Sequence, residues 1–271
     1  MNEPLGNDTG ANLRRLYEAD GGVLEIFTTK AADYIASRPD YPDALFDALH
    51  LHCGLVPGET IVDIGAGTGP LTAGFLARGH RVIAIEPNTA MRSACDKSLE
   101  RFVGYQSLSG TAESLPLPDG SVDLITAAQA FHWFDAHHAR TEALRVLRPT
   151  GNVALIWNDR AEDDPLQIAL NAVFAQYGEA KRHALVAHED RADVPKFFGA
   201  THPLEITFDH EHRLDESGLQ SLVFSRSYMP ARDTFAGMAV TQQIREIFHR
   251  FASGEIVTIR YTTLAILGRP S

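Results

Sequence analysis

Through the first 160 residues, short apolar runs closed by turn residues alternate with stretches of helical spacing. Ile61-Val62-Asp63-Ile64 leads directly into Gly65-Ala66-Gly67-Thr68-Gly69-Pro70. This predicts a buried parallel strand ending in a glycine turn that opens a helix. Glycine suits such a turn because the backbone must bend sharply and let a ligand come close. The helix covers residues 71–78 and stops at Gly79, a C-cap. A second strand, residues 81–85, ends in Glu86, and residues 87–91 open another helix. Residues 122–128 read as the fourth strand. A helix over 139–147 is stopped by Arg148-Pro149-Thr150-Gly151, and residues 152–157 form the fifth strand. Ahead of these, residues 43–53 place Leu45, Phe46, Leu49 and His50 at helical spacing. Residues 13–19 suggest a short helix behind a polar, disordered tip.

Beyond residue 160 the texture changes. Residues 166–177 are amphipathic and helical, whereas 178–200 are rich in charge and histidine, with Pro195 marking a break. Residues 204–210 alternate as a strand, 235–251 form a long helix, and 256–267 a final strand. The order is five strand–helix units, an insertion, then strand, helix and strand.

A chain of 271 residues with 44% hydrophobic and 22% charged residues is long enough for a full core. Its 24 Lys and Arg against 35 Asp and Glu give a net charge of −11, which argues against a nucleic-acid surface. Cys53 and Cys95 make no disulfide framework, and no Cys/His spacing suits a metal. No basic-then-apolar leader and no long apolar run is present, so the expectation is a cytoplasmic protein without a membrane partner. Oligomeric state leaves no signal.

The candidate chemistry begins at the glycine turn. Glu86 lies 21 residues after Gly65, close to the spacing at which nucleotide-binding units place a carboxylate on the ribose hydroxyls. A dinucleotide fingerprint would carry a glycine where Pro70 stands. The form present, Asp63 followed by Gly65-x-Gly67-x-Gly69, resembles motif I of the class I S-adenosylmethionine (SAM) methyltransferases, whose cofactor has no pyrophosphate. The segment from Gly110 to Asp123, with Thr111-Ala112-Glu113-Ser114-Leu115-Pro116, resembles a second block of the same family, in its type 11 group. Gln129-Ala130-Phe131-His132-Trp133-Phe134 resembles a third.

The resemblance implies a Rossmann-like α/β fold. Its seven-stranded, mostly parallel sheet has helices on both faces and an antiparallel last strand. It implies SAM as cofactor and S-adenosylhomocysteine (SAH) as product. The cofactor would be held by Asp63, Gly65, Ala66, Gly67, Glu86, Pro87, Met91, Thr111, Ala112, Glu113, Gln129 and Ala130. Among these, Met91 packs on the adenine or simply fills a helix face. Thr111 stands where the family has an acid for the adenine amino group, and Ala112 acts through its backbone N–H.

Tyr34-x-x-x-Arg38-Pro39-x-Tyr41-Pro42 resembles the N-terminal segment of trans-aconitate methyltransferase-like enzymes, which packs over the cofactor. The alternative is a capping helix whose aromatics fill core. Arg38 can bind a carboxylate through two hydrogen bonds. Trp157 and Asn158 end the fifth strand on the ligand side or close the rim of the core. Arg226 and Tyr228 suit a polar or acidic acceptor, and Trp133 completes the substrate-side set. His132 is the group of its turn suited to acid–base work near neutral pH, or it holds the loop. No metal site is expected.

The implied organisation is a cofactor-covering segment over 1–42, a SAM-binding core over 43–160, a helical lid over 161–200, and the rest of the sheet over 201–271. The reaction would move a methyl group to an O, N or C nucleophile of a small molecule. The competing readings are a SAM-binding enzyme of other chemistry and an NAD(P)-dependent oxidoreductase.

Overall fold

The computed structural model describes Arg15, Glu18 and residues 22–188 and 191–271, apart from some side chains in its first and sixth helices. Except for those two residues, the helix expected over 13–19 and the tip before it lie outside this set. The helices are α1 (Val23–Ser37), α2 (Asp43–Cys53), α3 (Pro70–Ala77), α4 (Thr89–Leu99), α5 (Ala136–Val146), α6 (Pro165–His188), α7 (Val194–Phe198), α8 (Glu216–Phe224) and α9 (Phe235–Phe251). The strands are β1 (Thr60–Ile64), β2 (Arg81–Ile85), β3 (Tyr105–Leu108), β4 (Val122–Ala128), β5 (Leu147–Arg160), β6 (Leu204–Leu214) and β7 (Val257–Gly268). They form one seven-stranded sheet in the order β3-β2-β1-β4-β5-β7-β6. All are parallel except β7, which runs antiparallel to both of its neighbours. The Rossmann-like architecture is therefore the one the sequence pattern and its resemblance imply.

Period-2 alternation along the central strands divides the core between the two faces. Ile61, Leu124, Ala154 and Ile156 face α2, α3 and α4, where they meet Leu45, Phe46, Leu71 and Phe75. Val62, Ile125, Val153 and Leu155 face the other way, onto Ala139, Ala143, Phe197 and Phe198. Both faces of these strands are covered, which is why they read as near-continuous apolar runs. A third cluster joins Leu170 and Phe174 of α6 to Leu219 and Val223 of α8, Val240 and Ile244 of α9, and Tyr261 of β7. Edge strand β6 keeps Glu205, Asp209, Glu211 and Arg213 outward, which blunts its open edge.

Several boundaries differ from the sequence reading. Arg148-Pro149-Thr150-Gly151 does not close a helix as a turn. It is extended and enters β5 through a register shift, with Val122 opposite Leu147 and Leu124 opposite Asn152. β5 also runs three residues past Trp157, because β7 supplies a partner out to Arg160, opposite Tyr261. Helix α6 continues through Gly178, and Pro195 sits in the first turn of α7, where its missing N–H costs nothing. β3 has no apolar alternation to announce it.

Strand order and the overrun of β5 shape the ligand side. The β1 chain crosses to β2 on one side, and β4 lies on the other, so a crevice opens beyond their carboxyl ends. β4 makes its last pair at Ala128 with Ile156, so the rest of β5 stands clear as a wall. Opposite that wall lies α1, fastened to distant parts of the chain. Lys30 Nζ donates to the carbonyls of Phe224 (2.9 Å) and Met229 (3.0 Å). Arg232 pairs with Asp33, and Asn88 Nδ2 donates to Thr28 Oγ1 at 3.1 Å.

Candidate active site

The glycine turn is fixed from beneath by the end of β2. The N–H groups of Gly65 and Ala66 both donate to the Ile85 carbonyl, at 2.8 and 3.2 Å. Gly65, Gly67 and Gly69 have φ of +68°, +58° and +87°, a region that favours glycine. Glu86, next along, is 8% exposed. Its Oε2 accepts the Gly67 N–H at 2.9 Å and its Oε1 the Asn88 N–H at 2.8 Å. Burial raises its pKa against the pull of those two hydrogen bonds and of Arg92. One carboxylate thus ties the glycine turn to the start of α4 and keeps lone pairs for a further donor.

Asp63 lies deeper, 1% exposed. The Thr72 hydroxyl donates to its Oδ2 at 2.7 Å and the Thr126 hydroxyl to its Oδ1 at 3.0 Å. Burial pushes its pKa up to about 6 despite both hydroxyls. An acid whose pKa rises on folding holds its proton longer in the native state, so it lowers stability as pH climbs from about 4 to 6 and fully above that. The cost at neutral pH is about 3 kcal/mol as an upper figure. Asp63→Asn is therefore expected to melt higher than the parent at pH 7.5 and to lose that advantage towards pH 4.5. Calorimetric melting across that range checks it; a variant less stable at every pH would refute the assignment.

Two adjoining cavities open at the carboxyl ends of the strands. The smaller, about 300 Å³, is lined by Gly65, Gly67, Glu86, Pro87, Met91, Thr111, Ala112, Glu113, Gln129 and Ala130, all candidates from the sequence, together with Trp133 and Phe134. The larger, about 560 Å³, is lined by Tyr34, Arg38, Trp157, Asn158, Arg226 and Tyr228 from the substrate-side set, with Asp63 and Ala66 at its base. Tyr34, Gly65, Gly67 and Gln129 line both. Trp133 thus stands with the cofactor candidates rather than with the substrate-side residues. His132 lines neither cavity; its ring is 5.0 Å from that of Trp133.

The candidates differ in how they are held. Met91 is 2% exposed on the buried face of α4 and lines the smaller cavity as well. Glu113 Oε1 accepts the Asp135 N–H at 2.8 Å, so it fastens the loop after β3 to the turn after β4. Trp157 is buried against Phe131, and the Arg191 guanidinium lies 4.9 Å from its ring centroid. Gln129 takes φ +54°, an uncommon value for a residue with a side chain, at the junction of the cavities. Its N–H donates to the Ile156 carbonyl and its Nε2 to the Asn158 carbonyl at 3.1 Å. The Thr263 hydroxyl donates to Asn158 Oδ1 at 2.7 Å, so Asn158 offers the larger cavity its amide N–H groups.

Sequence reasoning missed Thr72 and Thr126, whose only signal is their placement opposite Asp63. It also missed Arg160, Arg182 and Arg191 of the larger cavity. Arg160 belongs to the unexpected extension of β5, and Arg182 to the unexpected continuation of α6. Among the described residues no group of three His, Cys, Asp or Glu side chains stands together to hold a metal ion.

A family model described as a methyltransferase domain matches residues 62–155. The chain is 32% identical over 247 residues to an uncharacterized methyltransferase of Mycobacterium tuberculosis, covering 89% of this chain and 93% of that one. It is 30% identical over 158 residues to a protein of Saccharomyces cerevisiae named a probable S-adenosylmethionine-dependent methyltransferase, covering 56% and 53%. A solved structure from Anaeromyxobacter dehalogenans, described as a type II methyltransferase, superposes with a TM-score of 0.57 at 24% identity, covering 86% of this chain and 97% of that one.

Proposed function

The chain belongs to the class I SAM-dependent methyltransferases, and on that premise we propose that its smaller cavity receives the adenosine of SAM while its larger cavity receives a small-molecule methyl acceptor. The observation that carries this reading is the meeting of the two cavities at Gly65, Gly67 and Gln129. The cofactor fits the residues present. The smaller cavity is mostly apolar, as an adenine requires, and has the Glu86 carboxylate on its wall for the ribose hydroxyls. Gly67 leaves a gap that a side chain would fill, since a Cβ there would come 3.9 Å from the Tyr34 ring.

In this reading Pro87 and Met91 pack on the adenine, and Thr111 and the Ala112 N–H meet its polar edge. Glu113 holds the loop that carries them. Asp63, Gly65, Ala66, Gln129 and Ala130 surround the amino-acid half. SAM, when bound, supplies a methyl group on a sulfonium, already a strong electrophile. What remains for the protein is alignment and exclusion of water. Alignment of two reactants is worth roughly 7–11 kcal/mol. A well-placed base adds about 3–5 kcal/mol. The position of His132 outside both cavities agrees with alignment as the larger share.

Residues 1–42 would cover the cofactor, 43–160 form the core, 161–200 act as a lid, and 201–271 complete the sheet. Supporting this, Tyr34 lines both cavities, and Arg182 and Arg191 reach the larger one from the insertion. The net charge of −11 favours a small molecule over nucleic acid as acceptor, and the free thiols of Cys53 and Cys95 suit the reducing cytoplasm.

Titration calorimetry with SAM, SAH and NADH tests the reading. SAM and SAH are expected to bind with one site per chain, and NADH not to bind. Binding of NADH alone would replace it with the oxidoreductase reading.

A further inference from the structure

The larger cavity concentrates positive charge in an acidic protein. Arg38, Arg160, Arg182, Arg191 and Arg226 line it, against the carboxylates of Asp63, Asp159 and Glu162. The chain as a whole carries −11. Two of those acids are already engaged. Asp63 is held by Thr72 and Thr126, and Asp159 pairs with Arg191.

The guanidinium groups are oriented by aromatic rings more than by carboxylates. Arg38 lies 3.9 Å from the Tyr34 ring centroid, and Arg226 lies 5.1 Å from Phe174 and 6.0 Å from Tyr228. A stacked guanidinium is fixed in its plane while its edge keeps N–H donors for a ligand. Arg38 Nε is buried without a hydrogen-bond partner. Elsewhere the chain spends its arginines differently. Arg145 pairs with Glu142 and Asp119, and Arg232 with Asp33. In the cavity, Arg38, Arg182 and Arg226 come from three separate parts of the chain, and no carboxylate pairs with them among the described residues. Two stacked cations, Arg38 and Arg226, with Arg182 sharing their cleft, favour an anion strongly and disfavour a neutral or cationic molecule.

We propose that the methyl acceptor carries a carboxylate or phosphate group, and that Arg38, Arg182 and Arg226 hold it. This rests on the assignment of the larger cavity to the acceptor. The lining supports it from another side, since it includes no histidine, lysine or cysteine among the described residues. Of its three carboxylates, Asp63 is held by two hydroxyls and Asp159 by Arg191, and a site with few uncommitted bases suits an acceptor that arrives already charged.

The test uses the full chain saturated with SAH and titrated with succinate, glutarate, inorganic phosphate or pyrophosphate, with succinamide as the neutral control. At least one anion is expected to bind where succinamide does not. Its affinity should fall with added salt. Arg182→Gln and Arg226→Gln are each expected to weaken that anion at least tenfold, and SAH less than twofold. Dicarboxylates binding without phosphates, or the reverse, identifies the group. Failure of all four anions to bind the SAH-loaded protein overturns the proposal. So does equal binding to the Arg182→Gln/Arg226→Gln double variant. SAH failing to bind in the first titration would instead remove the cofactor reading beneath it.

Discussion

Glu86→Ala is expected to raise the Kd for SAM at least 100-fold. In the free protein this carboxylate accepts the N–H groups of Gly67 and Asn88, and hydrogen bonds to a charged acceptor contribute about 1.5–3 kcal/mol each. Without it the Gly67 N–H has no partner, so the glycine turn is released at the point where it faces the ligand. In the proposed placement of SAM, the ribose loses its acceptor as well. Two such losses correspond to roughly 100-fold or more in Kd. Glu86→Gln keeps one oxygen acceptor but places an N–H2 against one backbone donor, and should fall between, at about tenfold. Calorimetry on the three proteins decides the matter. A Kd within threefold of the parent for the alanine variant would show that the ribose lies elsewhere.

Gly65→Ala should be comparably damaging by a different route. The residue sits at φ +68°, where an L side chain costs roughly 1–2 kcal/mol. A Cβ there would also stand 2.6 Å from the Ala130 Cβ, closer than two carbons can approach. Overpacking of that kind costs about 1–3 kcal/mol. The variant is expected to lose about 2–5 kcal/mol, shared between stability and SAM affinity, because Gly65 and Ala130 both line the smaller cavity. The partner substitution Ala130→Gly removes the contact but leaves φ unchanged, so in the double variant only the second part is recovered. Urea unfolding and SAM titration on both single variants and the double variant measure this. Additive effects would mean that the two Cβ positions do not meet as described.

These two residues show what was readable in the chain. Gly65 and Glu86 stand in short stretches where local pattern and tertiary role coincide: an apolar run, a sharp turn, and an acid at the end of the next strand. Helices α2 and α9 and strand β4 were readable for the same reason, since their periodicity comes from the faces they bury. What could not be read depends on distant partners. β5 runs to Arg160 only because Thr262, Thr263 and Tyr261 lie beside it. Arg160 came with that overrun and Arg182 with the length of α6. Thr72 and Thr126 carry no local mark at all; they matter because the fold turns both hydroxyls toward Asp63. His132 shows the reverse case: a suggestive motif offered acid–base work or a loop-holding role, and the residue lines neither cavity.

The placement of β7 has a consequence for dissecting the protein. Val153, Ala154, Leu155 and Ile156 hydrogen-bond to β4 on one side and to β7, more than a hundred residues later, on the other. A fragment ending at Arg160 would leave that oily ribbon as a bare margin, ready to stick to another copy. It would also lose the anchors that Phe224, Met229 and Arg232 give to the N-terminal helix. The candidate cofactor motifs can be read in isolation, but the piece that carries them is not expected to stay soluble by itself.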